Sequence, residues 1–215
     1  MSRISNNDEL SSTDELNEQI VLIGLVGRKG SGKDTLALHL VESYGYHQLS
    51  LAGPMKSAVG LLFNLTDDQI HDTDKKEELD DRYNLTPRYL FQVFGTEVFR
   101  ESIYDFFPQL KDKIPKGEFW LYHLSERIHK LNKENGIVRF VITDVRFINE
   151  AKFLKERFNA KLIRIERDKV DNGNVDSHKS EADIDNITEQ LNVCVLKNNG
   201  SINDLYEKYD HKFEK

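Results

Sequence analysis

Ile20-Val21-Leu22-Ile23-Gly24-Leu25-Val26, followed at once by Gly27-Arg28-Lys29-Gly30-Ser31-Gly32-Lys33-Asp34-Thr35, reads as a buried strand turning through a glycine-rich loop into a helix. Gly27, four intervening residues and then Gly32-Lys33 give the P-loop spacing. In such a loop the glycines let backbone N–H groups point inward at phosphate oxygens, the new helix adds its positive end, and the lysine reaches the β and γ phosphates. One position departs from the general pattern. The residue after the lysine, usually Ser or Thr to hold Mg²⁺, is Asp34, and a hydroxyl follows only at Thr35.

The whole chain bounds the answer from the other side. Its 215 residues suit one α/β domain with a substantial core and a small lid or insertion. Thirty Lys and Arg against 37 Asp and Glu give a formal charge of −7, which argues against a general nucleic-acid binder. Any anionic ligand must therefore be held by local basic groups. The lone Cys194 reads as a buried strand residue and supports neither a disulfide nor a cysteine metal site, which fits a reducing cytoplasm. No apolar run is long enough to span a bilayer, and the amino terminus lacks the order of a signal peptide.

Residues 1–18 are polar and read as a disordered tail, and residues 19–215 as a single domain. After the first helix, closed by Gly45, a short strand at His47 to Leu51 leads into Ala52-Gly53-Pro54-Met55-Lys56. Proline at that helix start puts Lys56 near the carboxyl edge of the sheet, as a phosphate contact or as a solvated lysine. Asn64 to Arg82 is dense in charge and reads as surface. Thr86-Pro87 starts a helix expected to run to about Arg100, with Leu90, Phe91, Phe94 and Val98 inward. Arg88, Gln92, Thr96 and Arg100 then follow at four-residue steps on the opposite ridge, either an ordinary solvated face or a bidentate phosphate site. Trp120 reads as packing.

Val138 to Thr143 and then Asp144 form a strand ending in an acid, the form of a Walker B strand whose carboxylate holds Mg²⁺ directly or through water. Arg146 projects from the same edge as a candidate phosphate clamp. Further βαβ alternation predicts a parallel sheet with right-handed crossovers. The polar stretch from about 167 to 186 suits a lid or a solvated loop, and Ser201 is expected to cap a final helix.

This inventory lacks a Ser-His-Asp set, a cysteine nucleophile and a paired-His metal motif. It suits phosphoryl transfer to an acceptor that is itself a phosphate, already ionised near neutral pH and in need of no general base. A hydrolase or switch fits less well, because Asn132-Lys133-Glu134-Asn135 ends in the wrong residue for a guanine signature and Val145 stands where a motor ATPase has Glu.

With those residues assembled, the chain resembles the phage deoxynucleoside monophosphate kinases and, more distantly, the animal-type phosphomevalonate kinases. The likeness spans most of residues 20 to 210. It rests on Ser31 to Thr35, Leu51 to Lys56, Arg88 through Gln92 to Gly95-Thr96-Glu97, Ile142 to Arg146, His178 to Ala182 and Asn198 to Ser201, and Asp34 after the lysine looks like the pattern of these kinases. The resemblance implies an α/β P-loop fold of three α/β/α layers around a parallel sheet, nucleoside monophosphate kinase-like, with an acceptor region at about 53–132 and a lid. It implies ATP as phosphoryl donor, Mg²⁺ held by Asp34 and Asp144, and a dNMP acceptor. Lys33, Arg146 and Arg88 are then the catalytic candidates. Gly27, Lys29, Gly30, Ser31, Gly32, Lys33, Asp34 and Thr35 would hold the triphosphate, with Asn199, Gly200 and Ser201 near the adenine. Lys56, Arg88, Gln92, Thr96, Arg100, Asp144 and the lid residue Lys179 fall to the acceptor. Phosphomevalonate is the alternative acceptor. No nucleic acid and no membrane enter as partners, a homodimer is the one protein association considered, and the expected compartment is the cytoplasm, that of the host if a phage encodes the chain.

Overall fold

The computed structural model describes residues 20–168 and 179–213, and of residues 179–182 only the backbone. The expected tail at 1–18 and the expected lid residues 169–178 lie outside the described residues. In chain order the elements are β1 (Val21–Val26), α1 (Lys33–Tyr44), β2 (His47–Leu49), α2 (Gly53–Leu62), α3 (Asp67–His71) and α4 (Pro87–Gln92). A π-helix (Val93–Ser102), α5 (Ile103–Phe106), a 3₁₀ turn (Pro108–Asp112) and α6 (Phe119–Asn135) follow. The chain finishes with β3 (Arg139–Val145), α7 (Ile148–Phe158), β4 (Lys161–Glu166), α8 (Lys179–Leu191), β5 (Cys194–Lys197) and α9 (Ile202–Phe213). Two compact units emerge, one made of the chain up to Leu49 together with everything from Ile128, the other of Ser50–Arg127.

The first unit is built on a five-stranded parallel sheet in the order β2-β3-β1-β4-β5. Central β1 is apolar without alternation, because a parallel strand covered on both faces has no solvent side. On one face Ile23, Leu25, Val141, Ile163, Ile165 and Leu196 pack with Leu36 and Leu40 of α1 and Leu205 and Tyr209 of α9. On the other face Gly24 leaves room for Leu154 of α7 and Leu162. These are the three α/β/α layers. Gly45 closes α1 in the left-handed region (φ 67°), and Ser201 caps α9, its hydroxyl accepting from the Asp204 N–H at 3.2 Å. Cys194, expected buried, is only half-buried, because β5 is an edge strand. The polar stretch to Asn186 is not all loop: its second half is the start of α8.

The second unit packs Met55, Val59, Leu90 and Phe91 together, with Phe63, Ile70, Phe94 and Trp120 around them. The charged stretch 64–82 is not merely a surface tract. Asp80 is 6 % exposed, and the Arg82 guanidinium and then the Gln69 amide, bonded to it at 2.6 and 2.9 Å, hold its carboxyl well below the usual carboxylate range.

The helix expected from Pro87 to Arg100 is corrected by the structure. It is α-helical only to Gln92 and then winds as a π-helix to Ser102. The cause is aromatic. Phe94 meets Phe63 edge-on at 5.5 Å and Phe99 meets Trp120 at 5.2 Å, so two anchored rings stand five residues apart, the spacing that i→i+5 winding brings together. Phe94 and Val98, expected in the core, are only half-buried. Trp120 packs as expected and also donates its indole N–H to the Gly95 carbonyl at 2.9 Å. A four-residue step falls close to one full turn in either winding, so Arg88, Gln92, Thr96 and Arg100 keep to one side, with Gln92 and Thr96 exposed and Arg88 and Arg100 half-buried. The expected irregular stretch after Ile103 also carries the buried cluster Ile103, Tyr104 and Ile114.

Candidate active site

In a parallel sheet every strand delivers its following loop to one edge. In the first unit that edge collects the Gly27–Gly32 loop after β1, Asp144 and Arg146 at the end of β3, Arg167 after β4 and the Asn198–Ser201 turn after β5. Since β1 lies between β3 and β4, the loop has Asp144 and Arg146 on one side and Arg167 on the other.

The loop is shaped by the absence of side chains. A Cβ on Gly27 would strike the backbone carbonyl of Ile165, and one on Gly32 (φ 106°) would strike the Asn198 amide. Gly32 precedes α1 without any side-chain cap on the helix start. Ser31 is 1 % exposed, and its hydroxyl finds no partner among the described residues. A buried hydroxyl left open beside a helix start is what an anionic phosphate satisfies. Lys33 folds back across the loop and donates to the carbonyls of Gly27 at 2.7 Å and Arg28 at 2.8 Å. Lys29 is exposed, and Arg28 pairs with Asp185 at 3.5 Å.

Asp144 is half-buried, and it is not the last strand residue as the sequence reading has it. Between Gly24↔Ile142 and Val26↔Val145, β3 spends three steps against two on β1, a β-bulge beside the loop. Asp34 is exposed on the first turn of α1, with Thr35 half-buried behind it. Among the described residues no group of three or more His, Cys, Asp or Glu gathers to hold a metal. Asp34 and Asp144 would offer two carboxylates, which suits Mg²⁺, an ion that takes its remaining oxygens from phosphates and water.

Arg146 is exposed and its backbone N–H donates to Glu150 Oε2 at 2.9 Å, as does that of Phe147 at 3.1 Å. Glu150, 4 % exposed, thus fixes the turn that carries Arg146; its place three residues into the helix after Phe147 is the sequence signal that reveals it. Arg167, exposed at the matching position after β4, is a second basic group that the sequence reading leaves in the polar stretch.

After β5, Asn199 exchanges hydrogen bonds with Asp168 (3.0 Å from the Asp168 N–H, 2.5 Å from its own amide), and the Ser201 hydroxyl is held by Asp204 at 2.9 Å. The Ser201 N–H and hydroxyl lower the Asp204 carboxyl below its ordinary range. A Cβ on Gly200 would meet the same carboxylate.

In the second unit, Lys56 is half-buried on the first turn of α2, Gln92 and Thr96 are exposed, and Arg100 is half-buried on the π-helix. The Arg88 Nε donates to the Glu77 carboxylate, and its backbone N–H bonds the Lys76 carbonyl at 3.0 Å. The side chain of Lys179 lies outside the described residues.

A sequence model of the family described as deoxynucleotide monophosphate kinase matches residues 68–209. A protein of Acanthamoeba polyphaga mimivirus, provisionally named a deoxynucleotide monophosphate kinase, is 38 % identical over 191 residues, covering 88 % of this chain and 94 % of its own. Among solved structures, dephospho-CoA kinase from Campylobacter jejuni is 15 % identical with a TM-score of 0.43, covering 90 % of this chain and 95 % of that one. TT1252 from Thermus thermophilus is 18 % identical with a TM-score of 0.45, covering 89 % and 95 %. No helix among the described residues is long and apolar enough to cross a membrane.

Proposed function

The chain belongs to the deoxynucleotide monophosphate kinase family, and on that premise we propose that it transfers the γ-phosphoryl group of ATP to a dNMP, giving dNDP and ADP. The observation that carries the donor half is the glycine-rich loop at Gly27–Gly32, where Gly27 and Gly32 admit no Cβ, with its uncapped helix start and the buried, unpartnered Ser31 hydroxyl. An oxygen of the dNMP phosphate attacks the γ phosphorus, the bond to the β–γ bridging oxygen breaks, and ADP leaves with that electron pair. The attacking oxygen is already ionised, so the protein aligns and neutralises rather than removes a proton.

Lys33 exchanges its loop carbonyls for β and γ phosphate oxygens and follows the migrating charge. Arg146 clamps the transferring group, and the Asn199–Ser201 turn lies toward the adenine. Asp34 and Asp144 are the residues that would hold Mg²⁺, which would supply charge neutralisation of the phosphate oxygens. Lys56, Gln92, Thr96, Arg100 and Lys179 serve the acceptor together with Arg88, whose guanidinium must exchange the Glu77 carboxylate for the acceptor phosphate.

Purified protein with ATP and Mg²⁺, presented with each dNMP, each NMP and phosphomevalonate in turn, tests the reading. ADP and a dNDP should appear together in equal amounts with at least one dNMP. ADP release independent of any acceptor, or turnover confined to phosphomevalonate, overturns it.

A further inference from the structure

Asn198 stands outside the residues just assigned to the reaction, yet it is the side chain that touches the phosphate loop from the far end of the sheet. It is 7 % exposed, and its Nδ2 donates to the backbone carbonyl of Ser31 at 2.8 Å. Its position is fixed at both ends. Its own N–H donates to the Glu166 carbonyl at 2.7 Å where β4 finishes, and three residues later Ser201 is held by the cap of α9. Gly32 lies against its amide so closely that no Cβ fits there.

A trans peptide is planar, with its C=O and N–H pointing in opposite directions. Pinning the Ser31 carbonyl to Asn198 therefore aims the N–H of the next residue, Gly32, away from Asn198. Among the described residues that N–H has no acceptor, and it adjoins the buried Ser31 hydroxyl, which has none either. We infer that Asn198 is a positioning residue for phosphoryl transfer: by holding the Ser31–Gly32 peptide in one orientation it presents the Gly32 N–H to a phosphate oxygen of the donor.

Without the anchor this peptide can rotate, since Gly32 has no side chain to resist, and the N–H is no longer preorganised. The device acts on the phosphate chain and not on the base or the acceptor, and this rests on the reading of the loop as the donor site.

The test compares the full chain with its Asn198→Ala and Asn198→Asp variants. Aspartate keeps the shape of asparagine but, ionised, donates nothing. Three quantities are read: KM for ATP, KM for the preferred dNMP, and Ki for inorganic tripolyphosphate, a competitor of ATP that carries no base. Both variants should raise KM for ATP and Ki for tripolyphosphate by about tenfold, the loss of one hydrogen bond to a charged group, and leave KM for dNMP within about twofold. If the alanine variant does not fold, the isosteric aspartate carries the comparison. An unchanged Ki for tripolyphosphate, or equal losses for ATP and dNMP, overturns the inference while the kinase reading stands. A parent chain that binds neither ATP nor tripolyphosphate brings down both.

Discussion

The Gly27–Gly32 loop and the Pro87–Ser102 segment both carry residues assigned to phosphate, but they are shaped by opposite means. The loop takes its form from missing side chains and a pinned carbonyl: the Gly27 and Gly32 positions admit no Cβ, and Asn198 holds Ser31. The Pro87–Ser102 segment takes its form from large side chains. Phe94 and Phe99 are seated on Phe63 and Trp120, and the winding widens to suit them. A backbone-built site depends on a few local residues, whereas a site on a helix inherits whatever the packing behind it imposes. Substitutions near the loop should therefore act on chemistry with the fold intact, and substitutions behind the π-helix should act on acceptor and stability together.

The widest separation is expected from Lys33→Ala. Its ammonium spans the loop at 2.7 and 2.8 Å from two carbonyls. Loss of its charge should cut kcat by about a thousandfold with little change in circular dichroism. Near-parent turnover would remove the donor site from this loop. Next come Arg88→Ala and Arg100→Ala: if each arginine makes the proposed charge-assisted contact with the acceptor, its loss corresponds to about ten- to a hundredfold in KM for dNMP. KM for ATP should hold. If ATP and acceptor suffer equally in both variants, the division of labour between the two regions fails.

Trp120→Phe probes what lies behind the π-helix. The phenyl ring keeps the packing against Phe99 and Phe119 but cannot donate to the Gly95 carbonyl. A loss of about 1 kcal/mol is expected in urea unfolding, together with a raised KM for dNMP. A stability loss with unaltered acceptor kinetics would show that the π winding is structural alone. The smallest effect belongs to Glu77→Gln, which should free Arg88 from an exposed ion pair whose partners are 42 % and 56 % exposed. Such a pair is worth about 0.2–1 kcal/mol, so KM for dNMP should fall by a factor of about 1.4 to 5. A rise instead would mean that Glu77 orients Arg88 for the acceptor rather than competing for it.

The same contrast explains what was legible in the sequence. Gly27 to Lys33, the Gly45 stop and the Ser201 cap are local signals, each set by one or two residues, and the structure places them as read. The parallel sheet follows from alternation of apolar strands with helices. The change of winding after Gln92 was not legible because hydrophobic spacing cannot reveal it; that change depends on Phe63 and Trp120, each more than twenty residues from the ring it holds. Asn198 lies in the Asn198 to Ser201 stretch that carries the likeness but received no role, for a related reason. Next to Asn199 in a polar turn it looks solvated, and only the return of β5 to the sheet beside β4 buries it against Ser31. Long-range contacts such as these have no periodicity to betray them.

The bulge in β3 has one more consequence, and it is a matter of counting. Along a regular strand, odd and even positions part company, so Ile142, Asp144 and Arg146 would share a side and Val145 would take the other. Gly24 and Val26 stand on one side of β1, and their neighbours Ile142 and Val145 are three apart, not two. Parity is broken once, and Val145 turns in toward Gly24 with Asp144 left at the rim. Removing Thr143 would give the regular two-step spacing and leave Val145 on the side of Ile142, so the bulge is how the strand takes up one extra residue while keeping the valine inward. The place of Asp144 at the rim is thus set by the bulge that holds Val145 in register as firmly as by its own chemistry.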